Sequence, residues 1–180
     1  MTSGRRLALV AMCAAAATAG GWVWFASRFP SRVMVGTQAI GAWVPPHYQA
    51  SVLPVFGAYV GALGIDLVSG NRTAWVGRAG LVGIVSTIAG LRLSGWIGLS
   101  GHAVCCAALA AESMVRWKRT ESGLVVALAV IGLVVTGWYK LGVWGDRGWF
   151  FASVAVGVGL GLACSMWGRR QHDDEGEVAG

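Results

Sequence analysis

Residues 123–141 read GLVVALAVIGLVVTGWYKL, and the first charge in that stretch is Lys140. A helix rising 1.5 Å per residue needs about 20 apolar residues to cross a bilayer core of about 30 Å, so this stretch is a transmembrane span. Outward from it the same texture recurs at 7–25, 51–69, 75–97, 102–115 and 149–168, the stretch 102–115 being short for a full crossing. The segments between them carry helix-ending chemistry: Ser-Arg-Phe-Pro-Ser-Arg at 27–32, Val-Pro-Pro-His at 44–47, Ser-Gly-Asn-Arg at 69–72 and Gly-Asp-Arg-Gly at 145–148. The expectation is an all-α integral membrane bundle of six transmembrane helices, one domain over 1–168 with a polar tail at 169–180.

Composition agrees. Of 180 residues, 56% are apolar and 12% are Asp, Glu, Lys or Arg, whereas a soluble domain carries about 25% charged residues. Too few polar groups remain to wet a globule, which excludes a soluble fold and intrinsic disorder alike. The 28 glycines follow no three-residue period and lie inside apolar runs, where they signal close helix packing. Gly57 and Gly61 form a Gly-x-x-x-Gly pair, and Gly157, Gly159 and Gly161 repeat the theme; internal packing is the simpler reading of both. A net charge of +6 would suggest nucleic acid in a soluble protein. Here the charges lie between apolar runs, so they report topology, and no nucleic-acid partner is expected.

With the N-terminus in the cytoplasm, Arg5, Arg6, Arg72, Arg78, Arg116, Lys118, Arg119, Arg169 and Arg170 fall inside, nine of the fourteen cations. Cations near helix ends are retained in the cytoplasm, which favours this orientation in the cytoplasmic (inner) membrane with both termini inside. The ten tryptophans sit near span boundaries, at headgroup level. Arg5-Arg6, an apolar run and Ala17-Thr18-Ala19 also fit a cleavable signal peptide over residues 1–19; the run continuing through Phe25 favours a retained helix. Met12 stands where a lipoprotein needs a small residue before Cys13. The region 32–46 is expected as a short interfacial helix.

Two polar corners, 92–102 and 138–148, emerge on the outer face. Ser100-Gly101 before a helix starting at His102 offers free backbone N–H groups and a positive dipole end to an anion. Arg92, Lys140 and Arg147 would complete a phosphate-sized site. A blander reading is that Ser100 only caps the helix and His102 is a satisfied interfacial side chain.

Ser100-Gly101-His102-Ala103, at the start of the fourth of six helices, resembles the central motif of the type 2 phosphatidic acid phosphatases (PAP2), integral membrane lipid phosphatases. Tyr139-Lys140-Leu141-Gly142-Val143-Trp144 followed by Asp146 resembles that family's third motif. The resemblance covers roughly 75–165 in order and spacing. It implies a PAP2-like fold, a lipid phosphate or isoprenyl phosphate substrate, no cofactor and no metal. It also implies His102 as general acid and Asp146 as its catalytic partner, with Ser100, Gly101, Arg92, Lys140 and Arg147 binding phosphate. The family's nucleophilic histidine is Trp144 here, its arginine six residues earlier is Trp138, and its aspartate four residues later is Gly148. Val85 stands for the first-motif lysine, and Leu93 for the proline after Arg92. An indole cannot attack phosphorus, so the expectation is binding, with or without hydrolysis, of a lipid-linked phosphate at the outer membrane face, and the alternative is a catalytically inactive membrane protein that keeps the fold in a structural or interaction role. His47 could act as nucleophile only if 26–50 folded over the site.

His102, Cys105 and Cys106 share a helical face and could hold a soft metal, the basis of a third reading as a metal transporter. Cys13 and Cys164 supply no second pair for a relay. Asp66 and Glu112 lie within apolar segments near their cytoplasmic ends, where pairing with Arg72 or Arg116 accounts for them.

Overall fold

In the computed structural model, residues 1–28, 33–41 and 43–178 are described, with side chains described except at 25, 26, 28 and 168–178. The elements are α1 (Ser3–Arg28), β1 (Val33–Val35), β2 (Gln38–Ile40), α2 (Pro46–Ala50), α3 (Leu53–Val68), α4 (Arg72–Leu93), α5 (Gly101–Val115), α6 (Thr120–Gly137) and α7 (Arg147–Val178). A π-helical segment, Trp138–Val143, continues α6. Among the described residues, five helical stretches are long and apolar enough to cross a membrane, and α5 is a shorter apolar helix beside them. The chain is a multi-pass helical membrane protein.

α5 is the axis of the bundle: Ala103 to Ser113 are buried without exception, enclosed by α7, α6, α4 and α3. Small side chains make this possible. On α7, a Cβ at Gly157 would lie 2.7 Å from the Val104 carbonyl oxygen, and one at Gly161 would lie 2.3 Å from that of Ala108, so α7 runs against the α5 backbone. On α3, Gly57 and Gly61 do the same against Cys13, Ala14 and Val10 of α1. Gly159 faces open space. The expected internal packing therefore uses Gly157 and Gly161, one helical turn apart, without the residue between them.

Helix ends follow local chemistry. The Asn71 side chain accepts from the Ala74 N–H at 3.3 Å and starts α4. The Ser100 hydroxyl accepts from the Ala103 N–H at 3.4 Å and starts α5. At 15 residues, α5 spans about 22 Å, some 8 Å less than a bilayer core. Its N-cap residue Ser100 is buried beneath the segments that cover that end.

What covers it is a β-hairpin. β1 and β2 pair antiparallel, Val33 with Ile40 and Val35 with Gln38, around a turn in which Gly36 has φ +57°. The interfacial helix expected over 32–46 is replaced here by strands: Val-Met-Val, Gly-Thr and Gln-Ala-Ile form two β-prone runs about a two-residue turn, and glycine accepts the positive φ that the turn requires. Only Pro46–Ala50 is helical nearby. The α7 backbone stays helical to Val178, beyond the expected break at 168, since no proline interrupts it. The tail's side chains, with Arg169, Arg170 and Asp173 to Glu175, lie outside the described residues, as do 29–32.

At the end opposite the hairpin the buried acids are paired. Asp66 meets Arg78 at 3.1 Å and Arg119 at 2.7 Å, while Glu112 meets Arg78 at 3.5 Å and bonds to Arg116. The expected Arg116 partner is present; for Asp66, Arg78 and Arg119 stand where Arg72 was expected. Arg78 lies in the core one and a half turns into α4, 1% exposed, where it reaches both acids and stacks over Tyr59 at 5.2 Å. An arginine fork with two carboxylates offsets a burial that no single partner would.

Candidate functional site

The corners 92–102 and 138–148 meet under the hairpin. The last turn of α4 points Arg92 inward, and its guanidinium donates to the carbonyl oxygens of Met34 and Gly36 in the hairpin. It also donates to those of Gly98 at 2.9 Å and Ile97 at 3.4 Å in the α4–α5 turn. The π-helical turn widens the helix after Gly137 and turns Lys140 inward, 2% exposed. Lys140 Nζ donates to the Met34 carbonyl at 2.9 Å and to Asp146 Oδ2 at 2.9 Å. Asp146 also faces the Gly36 N–H at 3.5 Å.

Beneath this layer is a cavity of about 330 Å³. Arg92, Lys140, Ser100, Gly101 and His102 line it together with apolar side chains that include Trp24, Leu53, Phe56, Val85 and Ala89, from α1, α3 and α4. Leu93 and Ser86 of α4 line the cavity and are exposed at the surface. Net charge among the lining side chains and Asp146 is +1 with His102 neutral, from Arg92, Lys140 and Asp146.

His102 lines the cavity in the first turn of α5. Its ring stacks on Tyr48 at 4.4 Å between centroids and hydrogen-bonds to the Gln49 backbone. Its Nε2 is shielded from solvent and has no partner among the described residues. In a neutral ring the single N–H is spent on Gln49, which leaves Nε2 an acceptor.

The expected anion cradle is partly occupied. The Ser100 N–H donates to Ser153 Oγ of α7 at 2.7 Å, and the Ser100 hydroxyl caps α5. Of the expected site residues, Arg92, Ser100, Gly101, His102 and Lys140 come together at the cavity, and Asp146 joins them through Lys140. Arg147 is exposed and does not line the cavity. Trp144 lines it, edge-on to Tyr48 with centroids at 4.9 Å, and Lys140 Nζ stands 5.4 Å from its ring centre. The segment before α3 does fold over the site, but His47 is exposed, with Nε2 2.6 Å from the Tyr139 hydroxyl. Cys105 lines the cavity, whereas Cys106 packs against Gly132 of α6. Among the described residues, no group of three or more His, Cys, Asp or Glu side chains is placed to hold a metal ion.

Sequence reasoning missed Tyr48, Gln49, Ser153 and the hairpin carbonyls. The hairpin alone carried a readable signal, its Gly-Thr turn between β-prone triplets. Comparison of the chain with protein-family models, curated proteins and solved structures gives no match in any of the three.

Proposed function

We propose that this membrane protein binds a lipid phosphate, such as a phosphatidic acid or an isoprenyl phosphate, in the cavity beneath the hairpin. The observation that carries the reading is the lining of the cavity: two buried cations, Arg92 and Lys140, stand among walls that are otherwise largely apolar, including Trp24, Leu53, Phe56 and Val85. Such a site matches an amphiphile with an anionic head. Lys140 has three ammonium protons and spends two on Met34 and Asp146, which leaves one for a phosphate oxygen. The outer-face position follows from the cation asymmetry, with both termini in the cytoplasm and the protein in the cytoplasmic membrane. The motif resemblance to PAP2 enzymes points to the same ligand class.

Binding without turnover is the form of the proposal. Trp144 supplies no nucleophile, and His47 is engaged with Tyr139.

The test uses purified protein in detergent micelles, titrated with dodecyl phosphate and with inorganic phosphate. The paired change Lys140→Gln with Asp146→Asn leaves no unpaired charge behind. It is expected to weaken dodecyl phosphate binding about tenfold or more, since a hydrogen bond to a charged group contributes about 1.5–3 kcal/mol. Unchanged affinity would overturn the site. Phosphate release from phosphatidic acid or an isoprenyl phosphate, lost in His102→Ala, would replace binding by catalysis.

A further inference from the structure

The hairpin and the cavity share their donors. Met34 and Gly36 offer carbonyl oxygens to Arg92, and Met34 offers one to Lys140, and both cations line the cavity. Two main-chain oxygens therefore stand on the two cations that an anionic head would seek.

Little else holds the hairpin down. Each strand has three residues and pairs only with the other, and the strands make sparse backbone contact with the helices. A lone two-stranded hairpin is marginal in water, so its docked position depends on its outside contacts. Among the described residues these include an apolar cluster of Val33, Val35, Ile40, Val44 and Tyr48, the Trp149 ring beside Gly36, Gly95 beside Met34, and Arg92, Lys140 and Asp146. A phosphate oxygen carries a negative charge that a carbonyl oxygen lacks, so it adds Coulomb attraction to the hydrogen bond from a cation. Exchange of the hairpin oxygens for phosphate oxygens is thus favoured at the donors and opposed by the apolar contacts of the hairpin.

We propose that the β1–β2 hairpin is an autoinhibitory stand-in for the ligand: its Met34 and Gly36 carbonyls occupy Arg92 and Lys140, and an anionic amphiphile must displace them to bind. This rests on the lipid-phosphate reading of the site. It assigns to the hairpin a competitive role, opposite to that of a lid that closes over bound ligand.

Gly36 gives a handle that leaves every site side chain intact. Its φ of +57° disfavours any branched residue, and a Cβ there would lie 2.9 Å from Trp149 Nε1. Gly36→Val therefore loosens the docked turn. The experiment measures dodecyl phosphate affinity and hydrogen exchange of the hairpin amides in wild type and Gly36→Val, with inorganic phosphate in parallel. Wild-type amides of 33–40 are expected to exchange faster when dodecyl phosphate is bound, and Gly36→Val is expected to bind it about fivefold tighter or more. Displacement by inorganic phosphate alone would make the competing group a free anion in place of a lipid head, with the competition intact. Slower or unchanged exchange in wild type with ligand bound would overturn the inference while leaving the binding site standing. If dodecyl phosphate binds neither protein, the lipid-phosphate reading falls, and this inference with it. Unchanged or weaker affinity in Gly36→Val, when its free hairpin amides already exchange faster, also refutes competition.

Discussion

Gly161→Ala tests the packing that seats the central helix. An added Cβ would stand 2.3 Å from the Ala108 carbonyl oxygen, 2.9 Å from Ala111 Cβ and 3.0 Å from the Glu112 backbone nitrogen. Carbon contacts settle at about 3.5–4.0 Å, so α7 must withdraw by about 1 Å. Two of the three obstructing atoms are backbone and the third is an alanine methyl, none of which can swing aside. Overpacking of this kind costs about 1–3 kcal/mol. Gly159→Ala is the matched control, since its Cβ meets nothing within 4 Å. Both substitutions carry the same gain in helix propensity, so their difference isolates the clash. Reversible unfolding in mixed micelles, followed by tryptophan fluorescence, gives the stabilities. Gly161→Ala is expected to fall below Gly159→Ala by about 1–3 kcal/mol. Equal stabilities of the two variants would refute the close α5–α7 approach.

Two further outcomes follow from the rest of the bundle. Arg78→Ala removes the cation shared by Asp66 and Glu112 and leaves each with one partly exposed partner, Arg119 and Arg116, where breaking a buried ion pair outright costs about 3–5 kcal/mol; the variant is expected to lose folded yield in detergent, with part of it recovered in Arg78→Lys, and normal yield would show that Arg78 is dispensable to the network. Cysteines placed at the exposed positions Thr37 and Lys118 are expected to react with a membrane-impermeant maleimide from opposite sides, Thr37→Cys from outside intact cells and Lys118→Cys only after lysis; labelling of both from one side would refute the up-and-down arrangement.

The spans were legible because lipid leaves a one-dimensional record. Each crossing must be an uncharged run of sufficient length, and 51–69 or 123–141 cannot be read otherwise. The short fourth segment was legible as short. The juxtaposition of Arg92 with Lys140 was anticipated from the alternation of spans, which brings both corners to one face. Its detail was not. Arg92 is 7% exposed and engaged with backbone carbonyls from two segments, and nothing in Leu-Arg-Leu-Ser-Gly announces such partners. Arg78 was counted as one more charge at the inner face, yet it lies in the core, because its two carboxylates come from helices distant in sequence.

The amino-acid sequence by itself determined the solvent, the multi-pass helical plan and the residues gathered at one end. Hydrophobic length and charge placement are local properties, and a bilayer reads them locally. Only the tertiary structure decided who holds whom: that a hairpin roofs the cavity, that its carbonyls sit on Arg92 and Lys140, that Ser153 takes the Ser100 N–H, and that His102 is left with an open Nε2. Those outcomes depend on hydrogen bonds between segments 53 to 106 residues apart, whose partners are chosen by distance in space, and no local pattern encodes that distance.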